Sequence, residues 1–213
     1  MTYSTDLSAP LVMLDFETTD MGPEMGGRIT EVAALRIEGR QITQRFVSLV
    51  NCGAYVSPFI TQLTGITQKM VDGAPPAAEI VPALLEFIGS DVLAAHNASF
   101  DQKFLLNEAR LQGIQPRHAG MLCSVMLARR LLPGYRSYSL GQIAAARGIA
   151  FSSRAHRAEA DAEVAAHLVL QMVDKLGRDF GHASIAPQLL LQINQKSAAQ
   201  TPAFLRKQLF EQA

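Results

Sequence analysis

The chain contains few cysteines and no long apolar run. Only Cys52 and Cys123 occur among the 213 residues, without a Cys-x-x-Cys spacing. A reducing, cytoplasmic setting is therefore favoured over a disulfide scaffold. No stretch approaches the roughly 20 apolar residues of a membrane span, and the first residues lack the basic and apolar regions of a signal peptide. We expect a soluble, intracellular protein that has no membrane partner.

Net charge is the second absence. Nineteen basic and nineteen acidic side chains cancel, so no overall positive field attracts nucleic acid. This is weak evidence against a nucleic-acid partner, because a metal site can supply positive charge locally. The hydrophobic fraction of 48% is ample for a packed core, and 18% charged residues argue against disorder. The length suits one domain with an appendage.

Residues 11–19 carry the first chemical signal. Four apolar residues predict a buried strand that ends in two carboxylates, Asp15 and Glu17. Side chains two residues apart on a strand point to the same face. Neighbouring carboxylates repel each other and are costly to desolvate unless a positive group lies between them. A divalent cation is the simplest such group, and a solvated pair or a pair bridged to Arg28 is the alternative.

Strands and helices alternate along the rest of the chain, which indicates an α/β fold. Together with the first strand, residues 28–38 and 42–50 predict an antiparallel meander with a tight turn at Gly39. Two more short strands are predicted at residues 91–96 and 121–125. The predicted helices cover residues 57–65, a segment after Pro76, the segment from 98 to about 111, a segment ending at 132, 139–147 and 158–176.

The composition changes at Gly177. The last residues are rich in Gln and Ala, and Pro187 and Pro202 separate two possible short helices. We therefore expect a principal domain over residues 1–176 and an accessory helical tail over residues 177–213.

Two more acids are brought toward the same place by the predicted elements. Asp101 falls in the first turn of the helix that follows strand 91–96, and Asp161 lies on or beside the apolar stripe of the last long helix. Each has an ordinary explanation as a helix-start charge. Together with Asp15 and Glu17, however, they supply hard oxygen ligands that suit Mg²⁺ or Mn²⁺. Two such ions, about 3.5–4 Å apart, can clamp the reacting oxygens of a phosphoryl displacement.

His156 is the candidate general base. On one helix it would lie about 140° away from Asp161, so the two converge only if residues 152–157 form a flexible approach to the helix. From that loop His156 could take a proton from the attacking water. His96 is interpreted equally well as a structural hydrogen-bonding residue or as a catalyst.

Three segments in order carry a family resemblance. Asp-Phe-Glu-Thr-Thr at 15–19, His-Asn-Ala-Ser-Phe-Asp at 96–101 and His-Arg-Ala-Glu-Ala-Asp at 156–161 resemble the motifs of the DEDDh 3′–5′ exonucleases. These are the superfamily of the proofreading epsilon subunit of bacterial DNA polymerase III and of RNase T. Leu-Thr-Gly-Ile-Thr at 63–67 resembles a further family segment, and the likeness covers roughly residues 10–176.

The resemblance implies an RNase H-like fold, with a mixed sheet of about five strands flanked by helices on both faces. It implies two Mg²⁺ or Mn²⁺ ions, held by Asp15, Glu17, Asp101 and Asp161, with His156 as the general base. Asp20 departs from the glycine usual in the family, which predicts a different shape for the access loop at 20–27. The residues implied to contact the terminal nucleotide are Phe16, Thr18, Thr64, His96, Asn97 and Phe100.

The expected activity is metal-dependent release of nucleoside 5′-monophosphates from the 3′ end of single-stranded nucleic acid. DNA is favoured over RNA as the substrate, and a DNA polymerase or another replication or repair protein is the expected protein partner. One alternative is RNA trimming, because the sequence contains no visible reader of the 2′-hydroxyl. Another is a non-catalytic interaction module associated with a polymerase or a helicase.

Overall fold

A mixed sheet runs through the centre of the chain, which the computed structural model describes over residues 4–152 and 155–210. Its strands are β1 (Asp6–Thr18), β2 (Ile29–Gly39), β3 (Gln41–Leu49), β4 (Val92–Ala95), β5 (Met121–Cys123) and β6 (Ser184–Ile185). The strand order is β3-β2-β1-β4-β5, and β6 pairs with the start of β1. β1 is antiparallel to β2 but parallel to β4 and β6.

Helices cover both faces of this sheet. In chain order they are α1 (Pro58–Thr64), α2 (Gln68–Asp72), α3 (Ala77–Ile88), α4 (Ala98–Leu111), α5 (Ser124–Leu131), α6 (Leu140–Ala146), α7 (Ala158–Phe180), α8 (Pro187–Asn194) and α9 (Thr201–Phe210). None of the helices within the described residues is long and apolar enough to cross a membrane.

Alternation along β1 divides the core into two layers. Leu11 and Met13 join the apolar cluster formed with α7, whereas Val12 and Leu14 join the cluster formed with α3 and α4. Because side chains alternate along a strand, Asp15 continues the face that is covered by α7. The buried pattern therefore directs this carboxylate toward the first turn of α7.

The predicted α/β fold, with helices on both faces and an antiparallel meander, is confirmed. All five predicted strands are present, and β6 adds a sixth strand of only two residues. α2 was not predicted, because its five residues are too few to show a helical hydrophobic period. Its N-cap is Thr67, whose side chain accepts a hydrogen bond from the Met70 N–H.

The predicted end of the last long helix at residue 176 is wrong, because α7 continues to Phe180. Gly177 serves close packing instead of ending the helix: a Cβ there would lie 1.8 Å from Thr5 Oγ1. Gly181, with φ of +78°, ends the helix. The predicted boundary between residues 176 and 177 thus falls inside α7, and Leu190 of α8 packs into the same core cluster. The separate role of the tail stays a prediction.

Candidate active site

A cleft of about 510 Å³ opens where the parallel strands β1 and β4 end. In α/β proteins this edge of the sheet is the usual place for a site. All eleven residues predicted from the sequence line this one cleft: Asp15, Phe16, Glu17, Thr18, Thr64, His96, Asn97, Phe100, Asp101, His156 and Asp161. The structure thus brings together side chains from widely separated parts of the chain. Their catalytic and substrate-binding roles stay predictions.

Asp101 is turned toward β1 by a sharp entry into α4. Asn97 adopts a left-handed backbone conformation with φ of +73°, so α4 begins at once after β4. The Asp101 carboxylate is 2% exposed, and its Oδ1 accepts a hydrogen bond of 3.2 Å from the Phe16 N–H. Asp101 is therefore buried next to the acids of β1 and is not a solvated acid at the start of a helix.

His156 and Asp161 converge because they do not lie on the same helix. α7 begins at Ala158, and His156 precedes it with φ of +60°. The His156 N–H donates to Asp161 Oδ2 at 3.1 Å. One ligand atom each from His156, Asp161 and Glu17 lies within 4.8 Å of the other two. His156 thus reaches the acids from outside the helix, although residues 153 and 154 of the predicted flexible approach lie outside the described residues.

A fifth acid, Glu31, lies beside the cluster and was not predicted from the sequence. It faces Glu17 in the register of β1 and β2 and is 2% exposed. Its carboxylate accepts hydrogen bonds from the Arg157 guanidinium and, at 3.0 Å, from the Ala158 N–H. Glu31 therefore holds the first turn of α7 against β2. The available signal was an acid among consecutive buried residues of a strand.

The alternative in which Arg28 bridges the first acid pair is wrong. Arg28 forms its ion pair with Glu108, with 2.6 Å between Nε and Oε1. Arg28 is thereby directed to the buried carboxylate of α4 and does not neutralise Asp15 or Glu17.

Burial, together with repulsion between neighbouring carboxylates, raises the pKa values of these acids. Burial raises the pKa of Glu17 to about 8, with further contributions from Asp161 and Glu31, while Arg157 opposes the shift. Burial likewise raises the pKa of Asp101 to about 8. The pKa of Asp15 is raised well above its usual range by burial and then by the surrounding acids. Burial also raises the pKa of Asp161, against the effect of His156. Negative charge at this cleft is under-compensated.

The donor set fits a divalent cation. Four carboxylates interact with one another, and the neighbouring Arg157 is engaged by Glu31. Hard oxygen donors of this kind suit Mg²⁺ or Mn²⁺. An added cation would lower the pKa values of these acids, which burial and then mutual repulsion raise.

Without divalent ions, the protein is expected to lose stability as the pH rises. The folded-state pKa of Glu17, about 8, exceeds the ordinary 4.5, so the unfolded chain releases this proton first. The contribution of Glu17 to the free energy of unfolding is therefore fully present below pH 4.5 and is lost as the pH rises to about 8. Thermal unfolding in a chelator should show a falling Tm across this window. Added Mn²⁺ should raise the Tm most at the alkaline end. A Tm in chelator that does not change with pH would contradict this.

The predicted substrate residues are held by local hydrogen bonds. The His96 Nε2–H donates to the Tyr138 carbonyl at 2.9 Å, so Nδ1 accepts from the Ser124 hydroxyl at 2.8 Å. Burial lowers the pKa of His96, which favours this neutral form. Of its two interpretations, the hydrogen bonds support the structural one. The Thr64 hydroxyl donates to the Ile60 carbonyl at 2.9 Å.

Apolar side chains at the rim of the cleft were not predicted. Phe59 and Leu63 lie four residues apart on α1 and line the cleft, with Phe59 69% exposed. Met21, from the loop after β1, is 75% exposed beside them. In that loop the Thr18 hydroxyl donates to the Asp20 carbonyl at 2.7 Å, and Asp20 also lines the cleft. The available signal was the outward apolar pair at helical spacing on α1.

The chain is similar to known exonucleases in sequence and in structure. The model of the RNase_T family, described as exonuclease, matches residues 12–169. DNA polymerase III subunit epsilon of Aquifex aeolicus is 33% identical over 82% of this chain and 86% of its own length. The 3′-5′ exonuclease DinG of Bacillus subtilis is also 33% identical, over 78% of this chain, which spans only 18% of that protein.

The solved structure of exonuclease X in complex with 5′ overhanging duplex DNA superimposes with a TM-score of 0.67. It is 26% identical and covers 86% of this chain and 99% of its own. The RNase H-like fold expected from the motifs is thereby confirmed.

Proposed function

The chain belongs to the RNase_T exonuclease family, and on that premise we propose that it releases nucleoside 5′-monophosphates from the 3′ end of single-stranded DNA. It is an exonuclease and thus a hydrolase of phosphodiester bonds. The DEDDh pattern, four acids and a histidine, is complete at Asp15, Glu17, Asp101, His156 and Asp161.

The observation that carries this proposal is the convergence of those five side chains. They come from β1, α4, the first turn of α7 and the segment that leads into that turn, and they line one cleft. The acids are desolvated and repel one another, which costs folding stability. A non-catalytic module that uses the fold only as a docking platform does not require this cost.

The proposed roles follow from the positions. Asp15, Glu17, Asp101 and Asp161 would hold two Mg²⁺ or Mn²⁺ ions, which when bound supply positive charge to the reacting phosphate. His156, on the exposed side of the cluster, accepts the proton of the attacking water. Water adds to phosphorus and the bond to the 3′ oxygen breaks. The products are a nucleoside 5′-monophosphate and a strand shortened by one residue.

The cleft also offers surfaces for the terminal nucleotide. Phe16, Thr18, Thr64, Asn97 and Phe100 line it beside the acids. Phe100 packs against Phe104 with ring centroids 5.0 Å apart, which fixes the Phe100 ring at the edge of the cleft. We propose that these side chains position the last base and sugar so that the scissile phosphate faces the acids.

DNA as the substrate and a polymerase as a partner are supported by the relatives. One relative is named as a subunit of DNA polymerase III, and a similar solved structure holds duplex DNA. We therefore propose association with a DNA polymerase or another replication or repair protein. The cysteines Cys52 and Cys123 are both free thiols, which suits the cytoplasmic location that we propose.

Matched single-stranded DNA and RNA of one sequence test the activity and the substrate together. With Mg²⁺, the protein should shorten both 5′-labelled strands stepwise from the 3′ end, and it should act faster on DNA. Nucleoside 5′-monophosphates should be the only small products on chromatography. Faster cleavage of RNA would replace DNA with RNA as the substrate. The absence of cleavage, together with no divalent-ion binding in calorimetry, would support the interaction module instead.

A further inference from the structure

A second cleft, of about 690 Å³, opens beside the catalytic one. His96 and Asn97 line both clefts, so the two are continuous at the end of β4. The rest of its lining comes from α5, from the segment that follows it and from the first residue of α6, and it includes Arg129, Tyr135 and Arg136. We call this second cleft the arginine–tyrosine groove.

Two cations in the groove are free to bind a ligand. Arg129 and Arg136 are exposed, and neither forms an ion pair with an acid in the part of the chain that the structure describes. The Arg129 guanidinium lies over the Tyr138 ring, 5.7 Å from its centroid. Tyr138 also packs edge-to-face on Tyr135, with centroids 5.9 Å apart. Exposed arginines next to aromatic rings are the chemistry that binds single-stranded nucleic acid.

The groove is fixed relative to the catalytic cleft by hydrogen bonds. His96 donates to the Tyr138 carbonyl at 2.9 Å and accepts from the Ser124 hydroxyl at 2.8 Å. The Tyr138 hydroxyl donates to the Leu132 carbonyl at 2.8 Å. The segment that carries Tyr135 and Arg136 is therefore held against His96. This residue lies between the end of β4 and Asn97, the N-cap of α4.

The catalytic cleft offers no lysine or arginine side chain, among the described residues, to the phosphates of a longer strand. Among the described residues that line it, none is Lys or Arg, and the rim is formed by apolar side chains such as Phe59 and Leu63. Phosphates beyond the reacting one carry negative charge that needs a partner elsewhere. The adjoining groove supplies two such partners.

We propose that the arginine–tyrosine groove binds the nucleotides on the 5′ side of the scissile bond. Arg129 and Arg136 contact their phosphates, and the tyrosines contact their bases or sugars. This inference rests on the proposed exonuclease function and deepens it, because it makes strand length a determinant of substrate affinity. A strand that reaches the groove is a better substrate than one that fills only the catalytic cleft.

The test compares two substrates in three variants. The p-nitrophenyl ester of thymidine 5′-monophosphate needs only the catalytic cleft, whereas a long single-stranded DNA also needs the groove. For Arg129→Ala/Arg136→Ala, the ratio of kcat/KM for the DNA to that for the ester should fall about tenfold. The loss should be in KM for the DNA. Arg110→Ala/Arg117→Ala removes the same charge from exposed positions outside both clefts and should keep the ratio.

Salt dependence provides an independent readout. Each phosphate contact to a single strand contributes about 0.7 to the slope of log affinity against log salt. The alanine variant should therefore lose about 1.4 from that slope, and Arg129→Lys/Arg136→Lys should retain it. The proposed role of the groove would be overturned if the alanine variant and the Arg110/Arg117 control gave the same ratio and the same slope. If the unmodified protein hydrolyses neither substrate, the proposed function itself fails.

Discussion

Asp15→Asn should lower the Mg²⁺-dependent rate of 3′-end trimming by about a thousandfold, because the loss of several kcal/mol of metal-derived stabilisation corresponds to that factor. The substitution keeps the size of the side chain and removes its charge from the centre of the cluster. Single-turnover cleavage of a 5′-labelled DNA strand measures the loss directly. Calorimetry should show weakened Mn²⁺ binding in the same variant.

The same variant should remain folded, which separates a chemical role from a structural one. Burial and neighbouring acids raise the pKa of Asp15, so its ionised form destabilises the protein when no cation is present. In chelator at alkaline pH, Asp15→Asn should therefore unfold at the same or a higher temperature than the unmodified protein. Glu159→Gln is the matched control, because this acid of α7 pairs with Arg45 outside the cleft. Equal activity of Asp15→Asn and Glu159→Gln would remove Asp15 from the site.

His156→Ala should slow cleavage by about 100-fold or more, within the usual range for loss of a general base. The ring reaches Glu17 and Asp161 closely enough to serve either as a base or as a metal ligand. The two roles differ in one measurement. If His156 is the base, Mn²⁺ affinity in calorimetry stays near that of the unmodified protein while the rate falls. If it is a ligand, affinity and rate fall together.

The control for this substitution is His167→Ala, which removes an exposed histidine of α7 that lies outside the cleft. We expect no change in rate for that variant. The pH profile adds a second criterion, because a general base produces an acidic limb that should be absent from His156→Ala. An unchanged turnover in His156→Ala would exclude it as the base.

The sequence by itself determined the fold class and predicted the acids and the histidine of the cleft, but not its apolar rim. The apolar run of β1 and the apolar stripe of α7 follow directly from which residues are buried, so these elements are visible without coordinates. The motif segments at 15–19, 96–101 and 156–161 then predicted which acids and which histidine form the site. Elements with few residues escaped, as α2 and β6 did, because a period needs several repeats to be recognised.

Only the tertiary structure decided which groups meet. Glu31 is an ordinary strand residue in the sequence, yet its pairing opposite Glu17 and its bonds to Arg157 and Ala158 place it behind the cluster. Gly177 is a helix terminator by propensity, but close packing on Thr5 keeps it inside α7. Likewise, Arg129 contacts the Tyr138 ring in the groove, and no local sequence pattern predicts that contact. Local propensity is a property of neighbours along the chain, whereas ion pairs, close packing and clefts depend on residues that are far apart in sequence.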